Sequence, residues 1–256
     1  MNLIYEIKEL FLELPVGKSN EKRSILKNIN LTIEAGKIYT IVGASGCGKT
    51  SLLRILGGLT NKSTGQVFFQ NTEVTAPPAE VAFVFQDYAN ALLPWRTVEK
   101  NISLPIEDRL NPEECAARVK EAIRQVHLTG REHDYPWQLS GGMQQRLQIA
   151  RALATKPKVL LMDEPFAALD AMTKASMQDE LLKLRDETNL SIVFITHDIE
   201  EAIYLGDQVS IMRGPPGEIS QSIEISLSQH RDQLTTRGLP EFLEYRKFIH
   251  ESIKVN

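Results

Sequence analysis

Eight consecutive residues constrain this chain more than any others. Gly43-Ala44-Ser45-Gly46-Cys47-Gly48-Lys49-Thr50 fit the pattern G-x-x-x-x-G-K-[ST]. A loop that closes around phosphate oxygens must turn several backbone N–H groups inward, and Gly43, Gly46 and Gly48 allow this with no Cβ in the way. Residues 37–42 ahead of the loop (Lys-Ile-Tyr-Thr-Ile-Val) read as a buried strand. Residues 50–59 behind it read as a helix with Leu52, Leu53, Ile55 and Leu56 on its apolar side. The helix directs the positive end of its dipole into the loop. Lys49 can then reach β- and γ-phosphates, and Thr50 can offer its hydroxyl to Mg²⁺. An ordinary glycine turn is the plain alternative, and it is set aside because the match sits in the strand–loop–helix context that phosphate binding requires.

The rest of the chain alternates in the same way. Strands are expected at 26–33, 66–69, 81–85, 159–162, 192–195, 208–212 and 218–225, and helices at 112–126, 140–154, 173–187 and 240–253. The runs at 159–162 and 192–195 are wholly apolar, the pattern of a parallel sheet covered on both faces. Such alternation predicts an α/β core, with the helical stretch between 112 and 154 inserted as a lobe between two core strands. The polar stretch 231–238 reads as a linker to the terminal helix.

Further candidate residues stand at strand ends and helix starts. Asp163-Glu164 closes an apolar strand at its C-terminal end, where ligands of α/β sheets bind. Asp163 can hold Mg²⁺ directly or through water, and Glu164 is placed to polarise an attacking water. His197 follows the strand 192–195 and can hydrogen-bond a γ-phosphate, while Gln86 ends its own strand and offers an oxygen to Mg²⁺ or water. Ser140-Gly141-Gly142 opens a second helix with exposed amides but no lysine. It is either a simple helix start or the completion of another copy's nucleotide site.

Composition narrows the class. With 256 residues, 42% hydrophobic and 24% charged, the chain suits one globular domain with a smaller lobe. A net charge of −4 carries no basic footprint for nucleic acid. No apolar run is long enough to span a bilayer. Glu6, Lys8, Glu9 and Glu13 rule out a secretory or transit signal within the first fourteen positions. Two cysteines, one inside the glycine loop, point to a reducing compartment, and the position of Cys47 suggests that thiol reagents block the site.

Taken in order, these residues resemble the ATP-binding subunit of ABC transporters, and within that family bacterial importers of the nitrate/sulfonate/taurine type. The glycine loop matches Walker A, 159–164 Walker B, Gln86 the Q-loop, Ala168-Leu169-Asp170 the D-loop, and His197 the switch histidine. Leu139-Ser140-Gly141-Gly142-Met143-Gln144 matches the ABC signature. Gln86-Asp87-Tyr88, residues 93–98 and Pro240-Glu241-Phe242-Leu243 point to the importer subtype. Met143 and Ala168 depart from the commoner Gln and Ser, and Leu14 stands where an adenine-stacking aromatic is expected.

The resemblance implies a P-loop NTPase core with a mainly parallel sheet, an N-terminal antiparallel β subdomain and an inserted α-helical subdomain. The ATPase domain would span 1–230, with the helical lobe at about 88–155 and a linker and helix at 231–256. It implies ATP as substrate and Mg²⁺ as its companion, with Gln144 and Asp170 joining the nucleotide contacts. It also implies a head-to-tail dimer or paired ATPase subunit, a transmembrane permease, a solute-binding protein, no nucleic acid, and a place on the cytoplasmic face of the membrane. The apolar loop 88–98, with Leu92, Leu93 and Trp95, either docks a permease helix or packs on the helical lobe. A soluble ABC ATPase of DNA repair or translation is the rival, but such proteins usually carry coiled-coil insertions or two cassettes, for which this chain lacks room. A catalytically silent module is a third reading, and Lys49, Glu164 and His197 speak against it.

Overall fold

The computed structural model describes residues 2–16 and 21–254; the side chains of residues 88, 89 and 254 lie outside that description. In chain order the elements are β1 (Leu3–Pro15), β2 (Lys22–Glu34), β3 (Ile38–Val42), α1 (Lys49–Leu56), β4 (Thr64–Phe69), β5 (Thr72–Glu73) and β6 (Val81–Val84). Four helices follow: α2 (Tyr88–Ala91), α3 (Val98–Ser103), α4 (Pro112–Gln125) and α5 (Gly141–Leu153). The chain then returns through β7 (Val159–Asp163), α6 (Ala171–Thr188), β8 (Ser191–Thr196), α7 (Ile199–Leu205), β9 (Gln208–Arg213), β10 (Glu218–Glu224) and α8 (Pro240–Lys254).

Two sheets result. One has the order β2-β1-β4-β5 and is antiparallel; the other has the order β10-β9-β3-β8-β7-β6 and is parallel except at β10. The wholly buried strands β3, β7 and β8 lie inside the second sheet, whose two faces are both covered. Their alternate residues feed two cores. Tyr39, Ile41, Leu161, Val193 and Ile195 pack with α1 and the antiparallel sheet. Ile38, Val42, Leu160, Met162, Ile192 and Phe194 pack on the other side with the helices. Helices α2 to α5 occupy the span between β6 and β7.

The sequence reading marks no strand over 3–15, where β1 runs for 13 residues. A bulge explains the omission: the buried set shifts phase from Tyr5 and Ile7 to Leu10 and Leu12, so strict alternation fails. Glu9 takes up the extra residue at φ +45°, and its N–H donates to Asn30 Oδ1 at 2.9 Å. Gly65, at φ +88°, faces this bulge, and a Cβ there would collide with the Glu9 carbonyl.

Residues 231–238 are not the linker expected from their polarity. The Arg231 side chain is only 1% exposed and donates to the carbonyls of Tyr204 and Ile203. Gln233 Nε2 donates to Asp179 Oδ1 at 2.7 Å and to the Ala175 carbonyl at 3.1 Å. Polar side chains here hydrogen-bond back onto α6 and α7, which composition alone cannot distinguish from solvation. Helix α8 then buries Phe242 and Ile249 in the helical-side core.

Replacing Gly65 by alanine would force a left-handed position and the Glu9 contact at once, at a cost of about 1–3 kcal/mol. Chemical denaturation of the variant should show that loss; an unchanged midpoint would refute the bulge account.

Candidate nucleotide site

Parallel pairing assembles the site. Val42 pairs with Thr196, Asp163 with Ile195, and Val84 with Met162, so β3, β8, β7 and β6 all end at one edge of the sheet. The next residues in each strand bring together the glycine loop, His197, Glu164 and Gln86. The candidates from four separate stretches of sequence therefore meet at that edge.

The loop follows β3. Gly46 (φ +80°) and Gly48 (φ +107°) both lie in the left-handed region, and Gly48 caps α1 with no side-chain hydrogen bond. Among the described residues no carbonyl accepts from the amides of Ser45, Gly46, Gly48 or Thr50. Donors of this kind need partners, and phosphate oxygens supply them. The Lys49 ammonium is 5% exposed and donates to the carbonyls of Gly43 at 2.9 Å and Ala44 at 3.1 Å. It also lies 3.8 Å from Glu164 Oε1.

Thr50 Oγ1 donates to Asp163 Oδ1 at 3.0 Å. Burial pushes the Asp163 carboxyl above the usual carboxylate range; the Thr50 hydroxyl opposes the shift and neighbouring Glu164 adds to it. A cation placed against these oxygens would relieve that cost. Among the described residues there is no group of three or more His, Cys, Asp or Glu able to hold a metal. One hydroxyl and one carboxylate instead suit Mg²⁺, which keeps water and takes phosphate oxygens as its other ligands. The residues thus fit the ion.

Glu164 is held from three directions. His197 Nδ1 lies 2.8 Å from its Oε2, Gln86 Nε2 donates to the same oxygen at 3.5 Å, and its N–H donates to the Ile195 carbonyl at 3.0 Å. Its backbone sits at φ +43°, a conformation that costs energy for a residue with a Cβ and recurs where function demands a particular aim.

Ser140, Gly141, Gly142, Gln144 and Asp170 form a second group. Ser140 Oγ caps α5 by accepting from the Met143 N–H at 3.4 Å. A Cβ on Gly142 would lie 2.6 Å from Thr173 Cγ2, and the Thr173 hydroxyl donates to Asp170 Oδ2 at 2.6 Å. Asp170 also caps α6 through the amides of Met172 and Thr173. Gln144 turns its amide back onto the carbonyls of Pro136 at 2.9 Å and Leu139 at 3.2 Å. Within one chain, no hydrogen bond among the described residues joins this group to the glycine loop.

Three expectations are corrected or sharpened. Cys47 is 1% exposed and packs into the core beneath the loop, and burial raises its thiol pKa, so it is not the reactive handle its position suggests. The apolar set of residues 92–95 divides: Leu92 is buried, whereas Trp95 is 72% exposed. The Tyr88 side chain lies outside the described residues. Asn101, fully buried, fixes this turn by accepting from the Leu93 N–H at 2.9 Å and donating to the carbonyls of Leu93, Arg96 and Thr97. Leu14 is 41% exposed and pairs with Arg23 at the far end of β1. The exposed Trp137, stacked on Tyr135 just ahead of Ser140, was not singled out from sequence; exposure of an aromatic leaves no periodic signal.

The sheet order, glycine loop and acidic strand end define a P-loop ATPase of the cassette type. Residues 26–167 match the ABC transporter family, and the chain belongs to it. An uncharacterized ABC transporter ATP-binding protein of Methanocaldococcus jannaschii is 45% identical over 230 residues, covering 90% of this chain and 84% of the relative. An aliphatic sulfonates import ATP-binding protein of Bacillus thuringiensis subsp. konkukian is 42% identical over 236 residues, covering 90% and 92%. A nitrate import ATP-binding protein of Synechococcus elongatus is 39% identical over 86% of this chain and 34% of that longer protein. Among solved structures, a dimeric ATP-binding cassette in a post-hydrolysis state, bound to ADP and Pi, superposes with a TM-score of 0.76 at 31% identity, covering 88% of this chain and all of that one. The chain is an ATP-binding cassette ATPase, and no helix among its described residues is long and apolar enough to cross a membrane.

Thiol labelling should therefore be slow at Cys47 in the native state and faster at half-buried Cys115, with Cys47 reacting fully only in denaturant. Peptide mapping by mass spectrometry would read this; stoichiometric native labelling of Cys47 within minutes would contradict its burial.

Proposed function

We propose that this chain is the ATP-hydrolysing subunit of a membrane importer for nitrate, a sulfonate, taurine or a similar small solute. It acts at the cytoplasmic face, beneath a transmembrane permease that receives solute from a separate binding protein. The convergence of Lys49, Thr50, Asp163, Glu164, Gln86 and His197 on one sheet edge carries the ATPase part of the reading. The names of the sulfonate and nitrate relatives support the solute class.

In this reading the loop amides of residues 43–50 and the Lys49 ammonium hold the triphosphate. Thr50 and Asp163, with Gln86, would hold Mg²⁺, which would supply charge neutralisation to the triphosphate. Glu164 accepts the proton of the attacking water, and His197 both orients that carboxylate and donates to the γ-phosphate. Leu14 and neighbouring Val16, both exposed, meet adenine by apolar contact rather than ring stacking.

The second group of residues fits a head-to-tail dimer. Ser140 caps α5, no carbonyl among the described residues accepts from the Gly141 and Gly142 amides, and Asp170 with Thr173 stands behind them. A second protomer's nucleotide would satisfy them, and the dimeric cassettes among the solved relatives support that arrangement. Trp95, held outward by the Asn101-locked turn and the Arg96–Glu107 pair at 2.9 Å, is the contact offered to the permease.

Two experiments test the reading. Glu164→Gln should retain MgATP binding while lowering turnover by about 10²–10⁴-fold, and ATP-loaded protein should accumulate as dimers by light scattering. Wild-type turnover would remove Glu164 as the base, and a strictly monomeric ATP-bound variant would remove the shared site. Trp95→Ala should change stability by no more than about 0.5 kcal/mol yet reduce permease co-purification severalfold. Undiminished co-purification would refute the docking role.

A further inference from the structure

His197 leaves β8 and leads into the first turn of α7, so whatever holds that turn also sets the imidazole. The turn is held from two sides. From α6, Lys174 Nζ lies 2.7 Å from Asp198 Oδ2 and 3.6 Å from Glu201 Oε1, and Gln178 Nε2 donates to Glu201 Oε1 at 3.0 Å. From the C-terminal segment, Arg237 Nη1 donates to Glu200 Oε2 at 3.0 Å, and Arg246 Nη1 donates to Glu200 Oε1 at 2.9 Å. Both oxygens of Glu200 are thus taken by arginines lying beyond the residues 26–167 that match the family.

An isolated exposed ion pair holds little, and Arg246 is 49% exposed. Arg237 is different. The rest of its fork donates to Gln178 Oε1 at 3.0 Å and Gln233 Oε1 at 3.1 Å. Its guanidinium carbon lies 4.8 Å from the Tyr204 ring centroid and 6.0 Å from that of Phe242. One planar group therefore touches α6, α7 and α8 together, a task that suits a rigid five-donor fork and no ammonium. Phe242 and Ile249, buried below, fix α8 so that the fork has a firm base.

We propose that Arg237 is a positioning residue for ATP turnover: through Glu200 it fixes the first turn of α7, and with it the His197 ring against Glu164. Arg246 reinforces the same carboxylate. Neither arginine touches a reacting atom, and the inference rests on the role proposed above for His197.

The test is a double-mutant cycle on the full chain, read as steady-state hydrolysis of MgATP. Arg237→Ala should lower kcat about tenfold with KM for ATP changed by no more than about twofold, the pattern of a lost transition-state contact. Arg237→Lys should not restore the rate. In a His197→Ala background, Arg237→Ala should cost nothing further, because both changes remove one function. Penalties that multiply in the double variant would show that Arg237 acts elsewhere and overturn the proposal. Should Arg237→Ala unfold the protein, Glu200→Gln serves in the same cycle, with the same non-additivity expected. A His197→Ala variant at the wild-type rate removes the histidine's role and this inference together. A slow His197→Ala beside a wild-type Arg237→Ala removes this inference alone.

Discussion

The site exists because four parallel strands stop at one edge in one register. Val42 opposite Thr196, and Asp163 opposite Ile195, place the glycine loop, the two carboxylates and the imidazole within hydrogen-bonding reach of one another. A slip of one residue in β7 would turn Asp163 to the other face of the sheet and lose the Thr50 contact. That slip is opposed by the core, since it would also exchange Leu160 and Met162 with Val159 and Leu161 between two differently packed faces. The hydrophobic pattern thus fixes the chemistry at the strand ends, although none of the apolar residues takes part in it.

Legibility in the sequence followed the range of the physics involved. The loop, its strand and its helix were readable because glycine backbone freedom and apolar runs are local properties, and β3, β7 and β8 appear within one or two residues of their expected limits. The strand β1 was missed because the bulge at Glu9 breaks the very period by which strands are recognised. Cys47 reads as reactive because its neighbours in sequence line the loop, while its side chain is buried in the core shared by α1 and the antiparallel sheet. Residues 231–238 looked like a linker because the carbonyls that Arg231 and Gln233 satisfy belong to α6 and α7, far away in sequence. Wherever a residue's partner is remote, composition misleads.

The edge carries two unmet electrostatic demands of opposite sign. Asp163 and Glu164 are adjacent acids, one of them buried with its carboxyl pKa raised, and a single buried ammonium lies 3.8 Å from the second. Around them stand loop amides without carbonyl acceptors. A divalent cation answers the first imbalance and a polyanion answers the second, and neither alone answers both. On the proposed reading this explains why the nucleotide and its metal bind as one unit.

The same reasoning applies to the surface that Ser140, Gly142 and Asp170 share. Its side chains are already committed: the Ser140 hydroxyl caps α5, Asp170 caps α6, and Thr173 is wedged between Asp170 and Gly142. What is left over is backbone, the first amides of α5, from which no carbonyl among the described residues accepts. At Gly142 the Thr173 methyl forbids a Cβ, so no side chain covers the amides at that point. On the proposed reading, a phosphate chain carried by a second protomer is the partner that suits these amides.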